Sequence, residues 1–73
     1  MSSKILIIGA GGQIGSELTT KLREIYGQSN VIASDINTRN LELVNSGPFE
    51  IIDAKNFNAI KDCCKNYEIR ILV

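Results

Sequence analysis

Histidine is absent from this sequence. Its absence removes every Ser-His-Asp or Cys-His arrangement, and every imidazole proton relay, before a site is sought. Cysteine occurs only as the adjacent pair Cys63 and Cys64. Neighbouring cysteines close only a strained ring, so the pair does not read as a structural disulfide. With no histidine and no C-x-x-C there is no zinc-ligand spacing, and no metal site is expected. A reducing, cytoplasmic setting is the simplest reading. A surplus of either charge is also missing, since eight Lys and Arg balance eight Asp and Glu. Nothing is left over to grip a phosphate backbone, and nucleic acid is not an expected partner. The longest apolar runs, Ile5 to Ile8 and Ile71 to Val73, fall far short of the roughly 20 residues of a spanning helix, so no membrane partner is expected. Met1-Ser2-Ser3-Lys4 leads straight into a strand-like run, without the apolar stretch and cleavage site of a secretory signal.

What is present is the composition of a folded domain: 44% apolar and 22% charged residues, with six glycines and one proline. No low-complexity segment, internal repeat or linker interrupts it. A chain of 73 residues makes one small domain or part of a larger one. At this size only about 60% of the unfolded surface is buried, so stability is marginal without outside help.

Lys4-Ile5-Leu6-Ile7-Ile8 is a β-branched, apolar run of the kind that suits a strand buried on both faces. After the turn Gly9-Ala10-Gly11-Gly12 the period changes from about Gln13. Ile14, Leu18, Leu22 and Ile25 then predict one face of a helix, with Lys21 and Arg23 off the stripe near its favourable C-terminal end. Gly27 is a plausible cap. After the short loop Gln28-Ser29-Asn30, Val31 to Ser34 reads as a second strand with Asp35 at its end. The stretch from Ile36 to Asn45 reads as a short helix or an irregular segment. Ser46-Gly47-Pro48 is a turn, and Phe49 to Asp53 a third strand with Pro48 at its entry. Asn56 is a candidate N-cap for a helix whose buried side is Phe57, Ile60, Cys64 and Tyr67. Ile69 to Val73 is a fourth strand. The order β-α-β-β-α-β with short connections predicts an α/β fold, a Rossmann-type parallel sheet represented by its N-terminal half only. Val73 closes a strand that such a fold places near the sheet centre, so the chain is expected to be part of something longer.

Gly9, Gly12 and Gly15 form G-x-x-G-x-x-G between the first strand and the first helix. A glycine at the strand end permits the tight turn. A second, with no Cβ, lets a pyrophosphate approach the backbone, and a third lets the helix pack closely on the strand. The free N–H groups and the positive dipole end of the helix then face the phosphates. A glycine-rich turn without a ligand is the plain alternative, but a preceding strand and a following helix favour the nucleotide. Asp35 lies 20 residues after Gly15, at the end of the second strand, where an acidic side chain accepts from the adenosine ribose hydroxyls. Its charge opposes a 2′-phosphate and so favours NAD over NADP, although Arg39 is close enough in sequence to weaken the preference. Asp53 falls at the same sheet edge. With Ala54 it could hold the adenine rim, or it could simply cap a turn. Cys63 and Cys64 read as small packing residues, Tyr26 and Tyr67 as helix-end packing, and Lys61, Asp62 and Lys65 as a solvated face. Neither G-x-x-x-x-G-K-[ST] nor G-x-S-x-G occurs.

Taken together, these residues look familiar. The glycine motif with Asp35 resembles the extended short-chain dehydrogenase/reductase superfamily, the NAD-dependent epimerase/dehydratase group. Lys4 to Gly9, Gly12 to Leu18, Leu22-Arg23, Tyr26-Gly27, Asn30 to Ile36 and above all Asn45 to Glu50 are similar to the N-terminal part of short-chain-type L-threonine 3-dehydrogenases. The resemblance implies a Rossmann domain followed by a smaller substrate lobe, a homodimeric parent enzyme, and NAD-dependent oxidation of threonine to 2-amino-3-ketobutyrate. It implies that Gly9, Gly12, Gln13 and Ile14 meet the pyrophosphate, Asp35, Ile36 and Asn37 the ribose, and Asp53 and Ala54 the adenine. The superfamily's Tyr-x-x-x-Lys pair has no counterpart, because Tyr26 is followed four residues later by Asn30, and Tyr67 by Ile71. No catalytic residue is therefore assigned, and the 73-residue chain alone is expected to be inactive. Its partners are expected to be NAD and either a missing C-terminal half or a second copy. Two other readings stay open: a free-standing NAD or adenine-nucleotide module, and a piece of a nucleotide-sugar epimerase or dehydratase.

Overall fold

The computed structural model describes residues 4–73, so the reading of Met1 to Ser3 lies outside the described residues. Strand β1 (Lys4–Ile8) leads through the glycine turn to helix α1 (Gln13–Tyr26). A single 3-10 turn at Gln28–Asn30 then precedes β2 (Val31–Asp35). A one-turn helix, α2 (Leu41–Asn45), comes before β3 (Phe49–Ile51), and helix α3 (Phe57–Tyr67) before β4 (Ile69–Leu72). All three strand pairings are parallel and the sheet order is β3-β2-β1-β4. That is the order of the first half of a Rossmann-type sheet.

The strand alternation divides the core into two layers. On one face Ile5, Ile7, Val31 and Ala33 pack with Ala10 and Leu43, against Leu22 and Phe49. On the other, Leu6, Ile32 and Ile52 pack with Cys63, against Ala59, Ile60, Cys64 and Tyr67 of α3. The two central strands are thus buried on both sides, which explains why β1 and β2 are apolar without alternation. The edge strand β4 is different. Ile71, Leu72 and Val73 remain 43%, 55% and 50% exposed, although Val73 still exchanges backbone bonds with Leu6 and Ile8.

Several sequence expectations change. Helix α1 is turned about its axis, so that Thr19 and Arg23 are its buried residues. Ile14 is 83% and Ile25 62% exposed, while Leu18 and Leu22 are half-buried. Close contact at Gly15 selects this face, and the Thr19 hydroxyl becomes buriable by donating to the Gly15 carbonyl at 2.7 Å. Arg23 is no surface residue at all. Its Nε donates to Val31 O, its Nη1 to Leu43 O and Ser46 Oγ, and its Nη2 to Pro48 O. Burial lowers its pKa, yet a guanidinium stays charged in a folded protein. In α3 the first residue, Phe57, is 81% exposed and Cys63 takes its place in the core. Strand β3 stops at Ile51, so Asp53 lies in the turn beyond it. The stretch from Ile36 to Asn45 is both an irregular segment, residues 36–40, and a short helix, α2, whose N-cap Asn40 accepts from the Leu43 amide. Asn56 caps α3 in the same way, through the Ala59 amide.

Candidate functional site

The C-terminal ends of β1, β2 and β3 share one edge of the sheet, the edge at which open parallel sheets bind ligands. At the end of β1, Gly9 adopts φ 76°, a left-handed conformation that L side chains avoid. Ala10 is fully buried and its amide donates to Ser34 O at 2.9 Å. The Ser34 hydroxyl returns a bond to Ile7 O at 2.8 Å, so the ends of β1 and β2 are stitched together directly. Gly15 lies so near the loop that an added Cβ would be 2.5 Å from Gly9 O and 2.9 Å from Ala10 Cα. Its motif position therefore does here what close helix-to-strand packing demands.

Gly12 is the N-cap of α1 in extended conformation, with no side-chain cap bond and no acidic residue in the first turn. A Cβ on Gly12 would meet only Gly9 O, at 3.9 Å, so the space beside it is open to a ligand atom. The amides of the first turn have no intrahelical acceptors, and the helix dipole adds a partial positive charge there. Gln13 and Ile14 are exposed at this mouth and Gly15 is half-buried behind them.

Asp35 closes β2 and reaches back over the loop. Its Oδ2 accepts from the Gly11 amide at 2.8 Å and its Oδ1 from the Asn37 amide at 3.0 Å. Each oxygen keeps accepting capacity beyond these bonds. Ile36 and Asn37 are exposed beside it, and Asn37 Oδ1 accepts from the Arg39 amide. The structure thus joins the glycine loop and the end of β2 into one unit. Asp53 is held separately, with its Oδ1 accepting from the Lys55 amide and its carbonyl from the Asn56 amide. This is the turn-capping arrangement. Asp53 and Ala54 are exposed, and their link to the rest of the edge is Ile52, whose amide donates to Asp35 O at 3.3 Å. Gly11 is the participant that the motif alone does not mark, since it occupies a variable position. The signal in the sequence is the unbroken Gly11-Gly12 pair, where one glycine would satisfy the spacing.

Concavities also lie elsewhere among the described residues. One, of about 550 Å³, lies between α1 and α2 with Thr20, Arg23, Glu42 and Ser46 among its walls. Its cation is already committed to four acceptors, and Glu17, Glu24 and Glu42 surround it, so it offers little to an anionic ligand. A shallower hollow of about 570 Å³ runs from Asp53 to Asn58 at the ligand edge. Among the described residues no cluster of His, Cys, Asp or Glu could hold a metal ion, and no helix is long and apolar enough to cross a membrane. Burial, then the Glu50 charge, pushes the Cys63 thiol up, which disfavours the nucleophilic thiolate. Tyr67 donates to Glu50 Oε2 at 2.6 Å, and chiefly this bond pushes its pKa up to about 12. Such a phenol is poorly suited to take a proton near neutral pH.

No protein-family model matches the chain. An epimerase/dehydratase of Staphylococcus haemolyticus, itself described as uncharacterized, is 45% identical over 71 residues, covering 96% of this chain and 22% of the relative. A Staphylococcus aureus protein described in the same words is 46% identical over 66 residues, 89% of this chain and 21% of the relative. Among solved structures, the L-threonine dehydrogenase of Clostridium difficile superposes with a TM-score of 0.90 at 46% identity, covering 97% of this chain and 23% of that one. The chain therefore matches, in sequence and in fold, a Rossmann-type segment of the L-threonine dehydrogenase and epimerase/dehydratase proteins, and it spans about a fifth of their length.

Proposed function

We propose that this chain binds the ADP end of NAD in an oxidoreductase acting on L-threonine. The observation that carries the proposal is the docking of the Asp35 carboxylate on the Gly11 amide beside an uncapped helix start. The residues fit the group. The open flank of Gly12 admits a phosphate oxygen, and the first-turn amides at Gln13, Ile14 and Gly15 donate to it while the dipole favours its charge. Asp35 accepts from the ribose hydroxyls with its remaining lone pairs, and Ile36 and Asn37 flank the sugar. Asp53, which lines the hollow that runs to Asn58, and its neighbour Ala54 receive the adenine. NAD, when bound, supplies a hydride acceptor. What this chain's residues do is bind, orient and hold the adenosine end against the sheet.

Because the chain spans about a fifth of its matched relatives, the reading assigns the proton-transferring Tyr-x-x-x-Lys pair and the substrate lobe to the remainder of a longer, cytoplasmic, homodimeric enzyme. The naming of the staphylococcal relatives favours one second reading, the same nucleotide role in an epimerase or dehydratase. The test is a calorimetric titration of the full chain with ADP-ribose and with nicotinamide mononucleotide. The proposal expects ADP-ribose to bind and nicotinamide mononucleotide not to. Equal binding, or binding of neither, contradicts it. Oxidation of threonine but not of a nucleotide sugar by the longer enzyme separates the two parent activities.

A further inference from the structure

Strand β3 delivers Asp53 to the ligand edge on a short ladder. It has three residues and is the outermost strand of the sheet, so it is paired through β2. The ladder opens at the Pro48 carbonyl, which accepts from the Ala33 amide at 3.0 Å, and closes at the Ile52 amide, which donates to Asp35 O at 3.3 Å. The Pro48 carbonyl has a second donor, Arg23 Nη2, at 2.7 Å. The rest of that guanidinium donates to Val31 O, Leu43 O and Ser46 Oγ. Val31 opens β2, and Leu43 and Ser46 belong to the segment that leads into β3. One buried cation, 8% exposed, thus fixes the entry of β3 against the entry of β2, with the planar fork that only arginine offers. Tyr67 holds Glu50, at the middle of the strand, from the other face of the sheet. Gly47 keeps the place of the cation clear. A Cβ there would lie 2.7 Å from Arg23 Cζ and 2.9 Å from its Nε and Nη2. Positive φ among the glycines is confined to Gly9 and Gly27, so the Gly47 backbone suits alanine and the crowding falls on the guanidinium.

We propose that Arg23 is a positioning residue for the adenosine site, which sets how far β3 reaches along β2 and so where Asp53 stands relative to Asp35. The inference rests on the nucleotide reading above, in which Asp53 and Ala54 receive the adenine. It goes beyond that reading by tying the adenine side to a cation at the opposite edge of the sheet. Val31 and Pro48 lie at the N-terminal ends of β2 and β3, whereas Asp35 and Asp53 lie at or beyond their C-terminal ends. Without the guanidinium the entry of β3 loses a fastening, and a ladder this short passes the displacement on to Asp53. The glycine loop is held by other bonds, from the Ala10 amide to Ser34 O and from the Gly11 amide to Asp35 Oδ2, so it does not share the displacement. Loss of Arg23 therefore weakens the grip on adenine and spares the grip on pyrophosphate.

The experiment measures dissociation constants of ADP-ribose and of inorganic pyrophosphate for the full chain, Arg23→Ala and Gly47→Ala. Backbone amide resonances are followed at saturating ADP-ribose, at a temperature where thermal unfolding shows each protein folded. Arg23→Ala is expected to weaken ADP-ribose about tenfold, the scale of one hydrogen bond to the base, and to leave pyrophosphate unchanged. The shifts that ADP-ribose causes at Asp53 and Ala54 are expected to shrink while those at Gly12, Gln13 and Ile14 persist. Gly47→Ala, which keeps Arg23 but crowds it, is expected to give a smaller loss of the same kind. A merely structural role lowers both affinities and all the shifts together, and that result overturns the proposal. An unchanged affinity for ADP-ribose in Arg23→Ala overturns it too. If ADP-ribose causes no shift at Asp53 and Ala54 in the unaltered chain, the adenine reading itself is wrong and the inference falls with it, a failure seen before any variant is made. Should Arg23→Ala fail to fold, Gly47→Ala decides: a loss selective for ADP-ribose supports the proposal, and an equal loss or none overturns it.

Discussion

The Arg23 guanidinium donates to the carbonyl of Pro48 at 2.7 Å, joining the C-terminal half of α1 to the entry of β3. Its other donors hold the first carbonyl of β2 and the end of α2. The crossing from β2 to β3 is thus fastened to α1 at one buried cation. Gly47 makes room for it, since a Cβ there would lie 2.7 Å from Arg23 Cζ.

Arg23→Ala is expected to destabilise the chain by about 2–4 kcal/mol, because it takes the donor away from the carbonyls of Val31, Leu43 and Pro48 at once. Arg23→Lys recovers little, since an ammonium cannot reproduce the planar fork. Urea unfolding of the two variants checks both statements, and two fully stable variants would contradict them.

Gly15→Ala is expected to cost about 1–3 kcal/mol through overpacking and to weaken nucleotide binding in parallel. The added Cβ meets backbone atoms of Gly9 and Ala10, which cannot move aside as a side chain would, so α1 must lift from β1. Thermal unfolding and a nucleotide titration on the same sample test the coupling.

Tyr67→Phe is expected to cost about 1 kcal/mol, one partly buried hydrogen bond. The pH dependence follows the same contact. The folded phenol titrates at about 12 against an ordinary 10.0, so its contribution is fully present below pH 10 and is lost as pH rises from there through 12. In Tyr67→Phe this part of the alkaline loss of stability disappears.

Thiol labelling of the native chain is expected to find one fast and one slow cysteine. Cys64 is partly exposed, whereas Cys63 is buried with its thiol pushed up by burial. Equal rates would mean that α3 opens faster than the reagent reacts.

Much of this was legible in the residues. The β-branched run of β1, the glycine spacing and Asp35 identify the sheet and the edge that carries the proposed nucleotide, because each follows from local rules about strands, turns and helix starts. The rotation of α1 was not legible. Ile14 and Ile25 look like core residues and Arg23 like surface, and only the carbonyls of Val31, Leu43 and Pro48, distant in sequence, make burial of Arg23 favourable. Gly11 escaped for the same reason. Its requirement for glycine arises from a carboxylate 24 positions away, not from its own backbone. The early end of β3 follows from Asp53, whose side chain accepts from the Lys55 amide and starts a turn instead of extending the ladder.

Nucleotide binding where the glycine loop meets Asp35, as proposed, has a local signature in the backbone amides. The most direct measurement is a titration of the isotope-labelled full chain with ADP-ribose, following backbone amide resonances. Gly11, Gly12, Gln13, Ile14, Asp35 and Asn37 are expected to shift first and most. Shifts confined to Thr20, Glu42 and Ser46, in the groove between α1 and α2, with a silent glycine loop, would contradict it.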